Sequence, residues 1–165
     1  MNAIELLKAQ HVKVTKALEE LHENGGSEGK RETIANELVA HMVIEEHIFY
    51  PRIRELMKDM VSESFEEHAV ARFELARLIQ AHGPEVKTRA LVLKELLEHH
   101  IEEEEEEMFP KVSKDLEATE LTDLGVKMKI AFDSAVAKGY AAFVSAKPGS
   151  NTKRPVFHDG VHAAH

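Results

Sequence analysis

HMVIEEHIFYP, residues 41–51, and HIEEEEEEMFP, residues 100–110, share a plan: a His, a Glu four residues later, then an aromatic and Pro at the same offset. Residues four apart lie one turn apart on one face of an α-helix. In each stretch that face is otherwise apolar. His41 and Glu45 align with Ile34, Leu38 and Ile48, and His100 and Glu104 with Leu93, Leu97, Ile101 and Met108. Two further seams have the same spacing: Ile4, Leu7, His11, Val14, Leu18 and Leu21, and Val61, Phe65, His68, Leu75 and Ile79. Gly25-Gly26, Gly29, Gly83-Pro84 and the stretch from Pro148 onward punctuate the chain. They predict helices near 2–23, 31–59, 62–82, 86–114 and 119–145. No period-two run indicates a strand. The expected fold is all-α: an antiparallel up-down-up-down four-helix bundle with an additional C-terminal helix. That last helix, with Leu121, Leu124, Met128, Phe132, Ala135 and Phe143 on one side, is expected to pack across the bundle. Residues 1–145 form the predicted domain, with the ligand-bearing helices inside 1–114. Residues 146–165, which include His158, His162 and His165, form a loose tail.

The chain has 165 residues, enough for one domain with a sizeable core. Its net charge of −9 argues against a nucleic-acid surface and against docking on anionic membranes. It contains no Cys, which excludes disulfides, thiolate metal sites and iron–sulfur ligation by this chain. No apolar run is long enough for a membrane span, and the N-terminus lacks a signal-peptide pattern, so a cytoplasmic location is expected. The content of 11 His is high, and the positions of these residues decide what it means.

His11, His41, Glu45, His68, His100 and Glu104 occupy seam positions that a core would give to apolar residues. Buried carboxylates need a counter-charge, and a bound metal is the natural one. Arg72 is the one basic residue on the seams at this level. His99 with Glu103 has the same spacing as His100 with Glu104. The apolar periodicity selects His100 and Glu104, because His99 and Glu103 align with Val92 and Glu95. Glu46 and His47 fall off the seam and are expected at the surface, as are His22, His82 and His99. With helices at 31–59 and 62–82, Glu45 and His68 sit at unequal depths, a mismatch that a bend or break at Pro51 would absorb. Mixed His and Glu donors suit iron, manganese or zinc. Two carboxylates between two ions bridge them at about 3.5–4 Å.

This set resembles the hemerythrin-like family, the HHE cation-binding domains, over roughly residues 1–114. The resemblance rests on His11 in LLKAQHVKV, His41 with Glu45 before Tyr50-Pro51, His68 in FEEHAV, and His100 with Glu104 before Phe109-Pro110. It implies a bundle with two iron ions, oxo- or hydroxo-bridged, and two bridging carboxylates, with zinc or manganese as substitutes. The oxygen-carrying members have a fifth His one turn after the His on the third helix. Here that position is Arg72, and Ala71 beside it cannot ligate, so the chain resembles the four-His branch. Two six-coordinate irons need about 12 ligand positions. Four His, two bridging Glu and one oxo bridge leave about two positions, one per iron. Two open positions suit binding of, or reaction with, a small diatomic or peroxide ligand: O2, hydrogen peroxide or NO. Catalase-like chemistry is one form of this. The alternative is a non-enzymatic iron or oxygen sensor, or an iron-binding protein, using the same site. Tyr50, one turn past Glu45, is expected to donate to a bound oxygen species or ligate iron, or else to be a structural aromatic with a satisfied hydroxyl.

Overall fold

The computed structural model describes residues 1–143, so the predicted tail and its His residues lie outside the described part. Five helical runs make the fold. Helix α1 is Ala3–Asn24. Helix α2 starts as Glu28–Ile44, widens into a π-turn at Glu45–Phe49 and resumes at Tyr50–Ile53. Helix α3 is Lys58–Gln80. Helix α4 starts as Glu85–Glu103, passes a second π-turn at Glu104–Met108 and resumes at Phe109–Asp115. Helix α5 is Ala118–Lys138, followed by a 3-10 turn at Tyr140–Ala142.

Local chemistry sets several of these limits. Asn2 caps α1 by accepting from the Glu5 backbone N–H, while Glu5 accepts from the Asn2 N–H. Ser27 caps α2 by accepting from the Lys30 N–H. Gly25 and Gly139 close α1 and α5 at positive φ, where a side chain would be strained.

Helices α1 to α4 close a ring in which each packs on the next and α4 returns to α1, while α5 lies along α1 and α2. The core has two apolar layers. One contains Leu7, Ile44, Phe49, Ile53, Phe109 and Val112, together with Leu121, Leu124 and Met128 of α5. The other contains Leu18, Leu21, Leu38, Leu75, Leu78 and Leu93.

Three expectations need correction. Helix α2 ends at Ile53, not near 59, so Glu45 and His68 both stand about two to three turns from the connection and their depths agree within a turn. Pro51 does not break the helix, which runs on through it to Ile53. The π-turn before it moves backbone pairing from i−4 to i−5, as in the Tyr50 N–H to Glu45 carbonyl bond, and the helix resumes with Pro51 in its first turn. The wider turn also changes the side-chain phase: Phe49 and Tyr50 are buried, and Ile48 is only half-buried. The last helix stops at Lys138, short of 145, and Phe143 is exposed.

Candidate metal centre

His11, His41, Glu45, His68, His100 and Glu104 are all buried and converge between the two apolar layers. The Nε2 atoms face inward. Glu45 lies 3.9 Å from His11 Nε2 and 3.3 Å from the Nε2 atoms of His41 and His68. Glu104 Oε2 lies 3.3 Å from His11 Nε2 and 3.7 Å from His100 Nε2. The donors form two groups, His11 with His41 and His68 with His100, and Glu45 belongs to both.

This donor set fits a metal pair on three counts. His11 Nε2, both Glu45 oxygens and Glu104 Oε2 are buried without a hydrogen-bond partner. Leaving such atoms unpaired in a core is costly, and they face one another across the same space. Glu45 is shared between the groups, as a bridging carboxylate must be. His68 Nε2 and His100 Nε2 are 3.0 Å apart. Two nitrogens at right angles on one ion, with bonds of about 2.1 Å, would have about that separation.

The outward Nδ1 atoms each meet an acceptor. His11 pairs with Glu105 Oε1 at 2.9 Å, His41 with Gln10 Oε1 at 2.8 Å, His68 with Glu46 Oε1 at 2.9 Å, and His100 with Glu67 Oε2 at 2.6 Å. Such partners fix the ring orientation and the tautomer of a metal-binding His. Sequence reasoning missed all four. The available signal was adjacency: each partner sits next in the chain to a seam residue, one step around the helix. Glu46 is the outright correction. It is buried, not at the surface, and both of its oxygens also accept from the Arg72 guanidinium, at 2.7 and 2.8 Å.

Tyr50 is fully buried, and its hydroxyl donates to Glu104 Oε1 at 2.8 Å. The Tyr50 hydroxyl oxygen also stands 3.4 Å from the Nε2 atoms of His68 and His100. Burial and the carboxylates of Glu104 and Glu45 hold the Tyr50 phenol well above its ordinary pKa. His99 is exposed, with Glu103 and Glu67 near it, and Glu67 is committed to His100. His82 is exposed, and His22 is half-buried with Nδ1 3.2 Å from the Lys87 carbonyl. No helix among the described residues is long and apolar enough to cross a membrane.

The model of the hemerythrin HHE cation binding domain matches residues 2–112. A solved hemerythrin HHE cation binding domain-containing protein from Mycobacterium kansasii superposes with a TM-score of 0.72 at 26% identity, over 84% of this chain and 89% of that one. A DNA nickase from Nostoc sp. is 25% identical over 137 residues, covering 79% of this chain. This chain spans only 39% of that relative's length.

Proposed function

Because the chain belongs to the hemerythrin HHE cation-binding domain family, we propose that it is a non-haem di-iron protein that binds or reacts with O2, hydrogen peroxide or NO. The observation that carries this reading is the set of partnerless buried donor atoms at His11, Glu45 and Glu104. His11 and His41 would hold one ion, His68 and His100 the other, with Glu45 and Glu104 between them. When bound there, iron would supply the redox chemistry for a small oxidant. The protein holds the donors in place, keeps bulk water out with the two apolar layers, and aims the Tyr50 hydroxyl at the His68–His100 half. There Tyr50 serves as a hydrogen-bond donor or as a further ligand.

Arg72 occupies the position of a fifth His, and its guanidinium is bound to Glu46. With four His and two Glu as the only protein donors, each of two ions held here would keep a position for exogenous ligand, which favours small-oxidant chemistry over simple oxygen carriage. The nicking activity in the Nostoc relative's name belongs to a much longer protein, and the −9 charge here does not favour a nucleic-acid partner.

Metal analysis and a peroxide assay test this reading. Stoichiometric iron that falls in His100→Ala, and oxygen evolution from peroxide that disappears in Glu45→Ala, are the expected results. NO binding without peroxide turnover would favour the sensor alternative. A purified chain without stoichiometric iron would remove the reading altogether.

A further inference from the structure

The four outward acceptors form a closed circuit around the bundle. Gln10 of α1 serves His41 of α2, Glu46 of α2 serves His68 of α3, Glu67 of α3 serves His100 of α4, and Glu105 of α4 serves His11 of α1. Three of these acceptors are carboxylates. An ionised carboxylate can only accept, so it keeps the ring proton on Nδ1 and leaves the inner Nε2 lone pair free for a metal. Arg72 beside Glu46 and Lys8 beside Glu105 offset part of the charge but cannot turn either group into a donor.

Gln10 is chemically different. An amide carries an acceptor oxygen and a donor NH2 at nearly equal reach. With the amide turned over, Gln10 donates to Nδ1, and the His41 proton moves to Nε2, where it blocks ligation. The surroundings give room for this. A pocket of about 20 Å³ borders Gln10, Lys13, Glu37 and His41. That is room for one water. On its outer side the same half borders a groove of about 1010 Å³ between α1 and α4, which the buried His11 ring helps to line.

We propose that the His11–His41 half is the exchangeable metal position, that the His68–His100 half is the retained one, and that Gln10 is the positioning residue that sets the difference. The inference rests on the two-metal reading above and deepens it. A neutral amide fixes its imidazole less firmly and raises its basicity less than a carboxylate does, so the ion it supports is the first to leave.

The test is a chelator titration of the full chain loaded anaerobically with ferrous iron, counting iron retained per chain. Wild type is expected to lose its iron in two steps at least about tenfold apart. Gln10→Glu is expected to tighten the weaker step by about 10–100-fold and merge the two. Glu67→Gln is expected to loosen the tighter step and leave the weaker one in place. Gln10→Leu, which can neither accept nor donate, guards against misfolding of the charged variant and is expected to loosen the weaker step further. A single two-ion step in wild type, or a weaker step that moves with neither Gln10 variant, overturns the assignment and leaves the two-metal reading standing. A chain that retains no iron overturns both.

Discussion

His11 and His41 have ring centroids 4.9 Å apart, yet their protons are held very differently. Burial carries His41 down to about 3. Burial also depresses His11, but the carboxylates of Glu104 and Glu45 outweigh it and raise the ring to about 10. His68 reaches about 9 in the same way, against burial, through Glu45 and Glu46. The metal-free centre therefore stores protons on His11 and His68. A raised folded-state pKa adds stability that is complete below the ordinary value of 6.5 and is lost as pH rises through the folded value. Thermal unfolding of metal-free protein is expected to show a falling Tm between pH 6.5 and 10. His41 acts in the opposite sense, with destabilisation as pH falls from 6.5 towards 3. Metal bound through these rings would displace the His11 and His68 protons, so loading at pH 7 is expected to release on the order of two protons per chain. Calorimetry in buffers of different ionisation enthalpy measures this number. Tyr50→Phe removes the donor to Glu104 Oε1 and is expected to cost about 1–3 kcal/mol in the metal-free protein, read from denaturant unfolding. The six seam residues were legible in the sequence because each breaks an apolar pattern. Gln10, Glu46, Glu67 and Glu105 were not, because each serves a His on the next helix, and only tertiary packing reveals which one.

At the scale of the element, periodicity located the helices but not the two π-turns. Both turns begin at a carboxylate of the centre, Glu45 or Glu104, and both end just before an aromatic and a Pro. A 3.6-residue count carried past Glu45 therefore points to Ile48, whereas the wider turn buries Phe49 and Tyr50. The end of α2 was equally hidden. Arg54, Glu55, Leu56 and Met57 are good helix formers, and no Gly or Pro marks the break. The start of α1 is different, because Asn2 and Glu5 spell a capping box in the sequence itself. Asn2→Ala is expected to destabilise the fold by about 1 kcal/mol without changing iron content, since the frayed turn lies well before His11. Denaturant melts and metal analysis of the same sample check both halves of that expectation.

At the scale of the molecule, the fold class and the added helix follow from the seams and from the apolar face of α5. How tightly α5 seats does not. Gly125 lies against the start of α1, where a Cβ would come 2.6 Å from the Met1 carbonyl oxygen, 2.7 Å from Asn2 C and 2.8 Å from Ala3 N. Backbone atoms cannot move aside as a flexible side chain can. Gly125→Ala is expected to cost about 1–3 kcal/mol by forcing α5 and α1 apart, measured as a lowered Tm. The family match ends at residue 112, before α5, and this helix covers the outside of α1 and α2.

The six inward-facing His and Glu residues cross the bundle between its two apolar layers. Hydrophobic cohesion is thus interrupted at mid-height, where each layer meets a band of charge instead of the other layer. Ions bound in that band would tie all four helices together at the level where grease cannot. Filling the site is then also a change in rigidity: bound ions would add to the four His–acceptor hydrogen bonds that already link neighbouring helices at the waist, and a loaded chain would resist shear there more than an empty one.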